Sequence, residues 1–235
     1  MHLWPITPID SRLSTLNSQL TMQSPYKMRL RITFAKTEAM RYTGHLAVRS
    51  TWERTMRRAG LPLSYSQGYN PHPKFNLAAP LPLGFTSESE MIDVWMGERV
   101  PLDEIRGALE SAMPPGLALI EVKEVDLHAE KLPNLLQAAT FTVTLLEHEP
   151  DLEARIAELR QGENIPWERR GKTFNLRELI EAIRLGKPTA EGEQRIIMRL
   201  SARSGATGRP DEVLEALGID PYDTRICRSE LLLEE

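Results

Sequence analysis

Arg29-Leu30-Arg31-Ile32-Thr33-Phe34-Ala35 is the stretch from which the rest of the chain is read. Leu30, Ile32 and Phe34 alternate with Arg29, Arg31 and Thr33, the period of a strand with one buried face. The run from Thr43 to Ala59 changes period: Val48, Trp52, Thr55, Met56 and Ala59 recur on one side at helical spacing. Arg54, Arg57 and Arg58 crowd its last turns, Gly60 takes the position after the cap, and Pro62 stops it. Strands follow at Phe75 to Pro80 and Met91 to Met96, then a helix from Pro101 to Ala112 and a strand from Leu117 to Val125. The order β-α-β-β-α-β is ferredoxin-like, an antiparallel sheet with both helices on one face.

A second pass begins at Ala138. Strands are expected over Ala138–Glu147, Ile165–Arg170, Glu193–Ser201 and Tyr222–Leu232. Helices are expected over Pro150–Arg160, Leu176–Leu185 and Pro210–Leu217, the middle one an extra element. The fold class is therefore α+β, two tandem ferredoxin-like units with antiparallel sheets, over 28–126 and 138–235. The polar stretch Leu127 to Gln137 links them. Residues 1–27 read as a disordered leader or a mis-called start: up to Tyr26 they hold a lone arginine and no long apolar block, unlike a signal peptide or anchor.

Composition narrows the chemistry. One cysteine, Cys227, excludes an internal disulfide and a metal or iron–sulfur site built from this chain's thiolates. No apolar run reaches the roughly 18 to 20 residues that span a bilayer, so no membrane partner is expected and the cytoplasm is the default. From Lys27 to Lys74, ten Lys/Arg stand against Glu38 and Glu53, a net of +8, while from Phe75 onward 18 basic stand against 30 acidic, a net of −12. A basic block in an acidic chain is either an anion-binding face or a surface that docks the chain's own acidic half.

The densest chemistry lies in Tyr65-Ser66-Gln67-Gly68-Tyr69-Asn70-Pro71-His72-Pro73-Lys74. Its prolines forbid a helix, and Gly68 is where a sharp reversal is expected. Tyrosines among cations suit stacking of unpaired bases and contact with phosphates. The ligand- or RNA-binding candidates are Arg41, His45, Arg57, Arg58, Tyr65, Gln67, Tyr69, Asn70, His72 and Lys74. The aromatic strand signature of an RRM is absent, since Arg29 to Ala35 offers only Phe34. His45 and His72 are the candidates for acid–base work if the helix and the loop bring them together over the basic face. No third ligand accompanies them, so no metal site is expected. No phosphate-binding Gly loop, GxSxG, HExxH or CxxC occurs. Cys227 reads as a structural thiol, because Arg228, one residue on along a strand, points to the other face.

Arg41-Tyr42-Thr43-Gly44-His45-Leu46, Arg57-Arg58-Ala59-Gly60-Leu61-Pro62, the loop itself and Leu81-Pro82-Leu83-Gly84 resemble the radical SAM-linked (radical SAM-associated) domain of unknown function, in its free-standing form. Arg209 to Leu214 and Arg228 to Leu231 resemble its C-terminal part. Members of that bacterial family read Ser-His-Leu-Asp where this chain has Gly44-His45-Leu46-Ala47, so no carboxylate at that position can orient His45. The resemblance implies partnership: SAM and the iron–sulfur cluster belong to a separate radical SAM enzyme, and this chain carries no cofactor. Three functions follow as expectations. The first is a non-catalytic accessory protein that presents an anionic substrate, RNA foremost, on its basic N-terminal face. The second is a small enzyme using His45 and His72 on a phosphorylated or nucleotide ligand. The third is a purely structural interaction module.

Overall fold

A computed structural model describes residues 26–67 and 69–234. The expected leader up to residue 25 and the expected reversal at Gly68 lie outside the described residues. Along the chain come β1 (Met28–Lys36), α1 (His45–Arg58), β2 (Phe75–Leu77), β3 (Thr86–Met96), α2 (Leu102–Ala112) and β4 (Leu117–Val125). There follow α3 (Leu132–Leu135), β5 (Leu136–Leu145), α4 (Leu152–Gln161), β6 (Pro166–Arg169), β7 (Lys172–Asn175) and β8 (Ile180–Leu185). The last elements are β9 (Arg195–Arg203), β10 (Ala206–Thr207), α5 (Pro210–Ala216) and β11 (Thr224–Leu233). Among the described residues no helix is long and apolar enough to cross a membrane.

The fold is α+β, built on one mixed sheet of nine strands, where two separate antiparallel sheets were expected. The first half runs β4-β1-β3-β2 and the second β11-β5-β9-β8, with β10 also on β9. All pairings are antiparallel except β11 with β3, where Cys227 meets Thr86 and Arg228 meets Ser87. That parallel seam fuses the halves. It exists because β3 is longer than its apolar core suggests. Ile92 to Val94 pair with β2, and the polar start of the strand is left for β11. Polar residues can begin a buried strand here because their partners come from far along the chain. Ser87 Oγ donates to the Arg228 carbonyl at 2.9 Å, and the Arg228 side chain meets Glu90.

Two cores lie on the sheet. Leu30, Ile32, Phe34, Ile92, Val94 and Met96 pack with Trp52 and Met56 of α1 and Ile105 and Leu109 of α2. Phe141, Val143, Met198 and Leu200 pack with Ile156 and Leu159 of α4 and Val213 and Leu214 of α5. Ala78, Leu81 and Phe85, which precede β3, join the second core, so the first half contributes to the second half's interior.

One expectation fails in the second half. Leu176 to Leu185 is a 3-10 turn followed by strand β8. Ile180 and Ile183 are both buried three residues apart, which imitates a helix, because a register shift between Ile180 and Ala182 turns both inward. The strand expected at Ile165–Arg170 forms as β6, outside the main sheet, in a separate hairpin with β7. The linker is also packed: the Arg29 guanidinium donates to the carbonyls of Ala129 and, at 2.9 Å, of Glu130.

Candidate functional site

The loop of tyrosines and prolines stands on a hydrogen-bonded neck. Ser64 N–H donates to Trp95 O at 2.9 Å, Lys74 N–H to Ser64 O at 2.8 Å and Ser66 N–H to His72 O at 2.8 Å. The Ser66 hydroxyl accepts from His72 N–H at 3.1 Å. Above this neck Tyr65, Gln67, Tyr69, Asn70 and His72 are exposed, Tyr69 fully. Proline at 71 and 73 removes two backbone donors and fixes two φ angles, so the rings are displayed on a stiff frame.

The chain then enters β2, where alternation divides the side chains. Phe75 goes into the core beneath α1, and Lys74 and Asn76 go to the face of the sheet that the helices leave uncovered. There the Lys74 ammonium lies 3.6 Å from the centroid of the Tyr26 ring and 4.9 Å from that of Trp95. Arg29 stacks on Trp95 at 4.6 Å. These are attractive cation–π geometries. Under them Asp93, fully buried, receives Arg29 Nη2 at 2.5 Å and Arg31 Nε and Nη2 at 2.9 and 3.1 Å. Among the described residues, buried Arg29 Nε has no hydrogen-bond partner. A groove of about 570 Å³ runs over this floor, lined by Tyr26, Arg29, Lys74, Asn76 and Trp95 and, across from them, residues 127–131. Its lining carries Arg29, Lys74 and Lys131 against Glu130. The Lys131 backbone N–H and then the Asn134 amide hold the Glu130 carboxyl below its usual range, so it stays charged. The groove remains net cationic.

A second polar cluster occupies the helix-covered face at the seam. Arg228 Nε donates to Glu90 at 2.7 Å, its Nη2 bonds the other carboxylate oxygen, and its Nη1 reaches Pro80 O at 3.2 Å. Lys36 Nζ donates to Phe85 O at 2.9 Å and Arg41 O at 3.1 Å. Burial foremost lowers the Lys36 pKa, against the pull of Glu90. Burial, then the charge of Arg49, pushes His45 below the ordinary histidine range, so it is neutral near pH 7. The cavity that Lys36, His45 and Glu90 line measures about 10 Å³. That is room for one water at most.

The basic block is thus no single face. Arg29 and Arg31 hold Asp93, and Arg41 binds Gly84 O at 2.8 Å and Thr224 O at 3.3 Å across the seam. Arg57 pairs with Glu53 at 2.8 Å, and Arg58 donates to Ala112 O at 2.6 Å at the end of α2. Of the expected ligand residues, Tyr65, Gln67, Tyr69, Asn70, His72 and Lys74 come together on the loop and its base, and Lys74 alone of them lines the groove. His45 sits in the closed seam cavity and His72 on the exposed loop, with no hydrogen bond between them among the described residues. Among those residues no three His, Cys, Asp or Glu side chains cluster to hold a metal. Cys227 pairs beside Thr86, and burial raises its thiol pKa. Tyr26, Arg29, Asn76, Trp95, His128 and Lys131 were not foreseen as site residues. Asp93 and Trp95, alternating with Ile92 and Val94, are a signal for a second, polar–aromatic face of β3.

Residues 29–210 match the model of a family described as an uncharacterized protein conserved in bacteria, DUF2344. No curated protein matches the sequence. A solved H/ACA ribonucleoprotein bound to a substrate RNA containing 2′-deoxyuridine aligns at 9% identity and a TM-score of 0.44. That alignment covers 88% of this chain but 49% of the other, about half its length. DyPB from Rhodococcus jostii RHA1 aligns at 11% identity over 85% of each chain, with a TM-score of 0.21.

Proposed function

The chain belongs to that uncharacterized bacterial family, and from this premise we propose that it is a non-catalytic accessory protein that holds single-stranded RNA for a separate radical SAM enzyme. The carrying observation is the continuity of loop and groove. Exposed Tyr65 and Tyr69 stand on a neck that ends in Lys74, and Lys74 forms the wall of a cationic groove backed by Trp95 and Arg29. Unpaired bases stack on aromatic faces while a cationic groove tracks their phosphates. The radical SAM partner rests on the sequence resemblance, with SAM and the iron–sulfur cluster held in that partner. In this reading the two strand orders, β4-β1-β3-β2 and β11-β5-β9-β8, are two tandem ferredoxin-like units over 28–126 and 138–235. The catalytic alternative built on His45 and His72 has less support, because the two histidines occupy different surroundings.

The test is fluorescence anisotropy of the full chain with a labelled, unstructured RNA of about 15 nucleotides across a salt series. Lys74→Ala is expected to weaken binding and to reduce the salt slope by about 0.7, the value for one lost phosphate contact on a single strand. Absence of saturable binding at low salt, or a Lys74→Ala protein with the parent's slope, rejects the reading.

A further inference from the structure

A third surface lies at the seam. A groove of about 380 Å³ runs where Arg41 and Tyr42, the Pro82–Phe85 turn, α5 and the start of β11 meet. It shares no lining residue with the Lys74 groove. Tyr42 is 77% exposed, Leu83 63% and Tyr222 92%, a concentration of large apolar side chains in water. None is carried on a loose segment. Tyr222 sits in a 3-10 turn whose Asp220 cap accepts from Tyr222 N–H at 2.9 Å. Tyr42 follows Arg41, whose carbonyl accepts from Gly84 N–H at 3.0 Å and whose guanidinium binds Gly84 O and Thr224 O. Backbone held this way has little freedom left to lose on contact, which favours recognition.

Charge identifies what the surface fits. Asp211 and Glu215 line the groove four residues apart on α5 and therefore on one face of it. Neither carboxylate makes a hydrogen bond or ion pair among the described residues, whereas their neighbour Glu212 is occupied by Arg169. Arg41, the cation on the rim, donates to the carbonyls of Gly84 and Thr224 and pairs with Glu38 at 3.8 Å, not with Asp211 or Glu215. Two unpaired carboxylates repel RNA phosphates and attract a cation. We propose that this groove docks a segment of a partner protein carrying Lys or Arg beside an apolar or aromatic side chain. The cation meets Asp211 and Glu215, and the apolar group lies among Tyr42, Leu83 and Tyr222. The chain then engages RNA and protein on separate surfaces.

The probe is a fluorescein-labelled Arg-Leu-Phe-Arg-Leu peptide titrated with the full chain, beside Glu-Leu-Phe-Glu-Leu as control. Saturable binding of the basic peptide below about 1 mM is expected, with the acidic peptide much weaker. Asp211→Asn with Glu215→Gln, and separately Tyr222→Ala, should each weaken it about tenfold, and Lys74→Ala should leave it unchanged. Among the described residues the Asp211, Glu215 and Tyr222 side chains make no hydrogen bond or ion pair, and an unchanged thermal midpoint confirms folding. Equal binding of both peptides, none below about 1 mM, or insensitivity to the Asp211 and Glu215 changes overturns the proposal. So does loss of peptide binding in Lys74→Ala, which would make the two grooves one site. A dimer in sedimentation velocity that Tyr222→Ala dissolves would assign the surface to a second copy and overturn it as well.

Discussion

Strand β3 buries one carboxylate on each face, and the two have different surroundings. Glu90 faces the helices, pairs with Arg228 from the far end of the chain, and adjoins a cavity of about 10 Å³. Asp93 faces the other way, pairs with Arg29 and Arg31, and lies beneath a groove of about 570 Å³. The same chemistry, arginine on buried carboxylate, serves closure in one place and floors an open surface in the other. The contrast sorts the basic block by access. Lys36 and Arg41 are struts of the seam, and Arg29 and Arg31 support the groove floor. The Lys74 ammonium meets aromatic rings and, among the described residues, no carboxylate, which leaves its charge available to a ligand. Charge density in the sequence therefore marks where cations are abundant, and burial decides which of them can bind anything.

The sharpest break in the comparison is at the closed side. Glu90→Ala leaves Arg228 buried without its counter-ion and is expected to cost about 3–5 kcal/mol in urea unfolding. Replacing both Glu90 and Arg228 with Leu and Met should recover most of that loss, since the penalty lies in the unpaired charge. A loss below about 1 kcal/mol for Glu90→Ala would mean that this pair does not hold the seam.

On the open side, Tyr69→Ala should leave stability unchanged and weaken RNA binding by about 1–3 kcal/mol, the range for one stacked base. Anisotropy and a thermal melt on the same preparation read both quantities. A destabilised variant with intact binding would reverse the roles assigned to the two faces.

His45 gives the closed side a pH dependence. Its folded pKa is depressed, so between that value and the ordinary one of about 6.5 the unfolded chain binds more protons. The stability it contributes is complete above about pH 6.5 and is lost as pH falls through the depressed folded value. His45→Gln should flatten that acid limb in urea unfolding followed from pH 7.5 downward; an unchanged limb would remove His45 as its source. The smallest effect belongs to the exposed Arg57–Glu53 pair. Arg57→Ala should cost about 0.2–0.5 kcal/mol and leave RNA affinity within error.

The first half of the molecule was more legible than the second, for local reasons. Leu30, Ile32 and Phe34, and Val48, Trp52, Thr55 and Met56, carry undisturbed strand and helix periods, and both elements form within two residues of expectation. At Ile180 and Ile183 a bulge breaks the strand period and the pattern mimics a helix. The first residues of β3 were unreadable because Glu90 and Ser87 are satisfied by Arg228, more than a hundred residues away. The same reason hid half the candidate site. The Tyr65 to Lys74 loop announced itself by composition, whereas Trp95 and residues 127–131 reach the groove through tertiary packing that no window of sequence contains.

The most direct measurement is ultraviolet cross-linking of a bound single-stranded RNA to the full chain, with the adducts placed by mass spectrometry. Adducts on Tyr65, Tyr69, Tyr26 or Trp95 are the result that the loop-and-groove account predicts. Adducts confined to Tyr42 and Tyr222, or none on either surface, would contradict it.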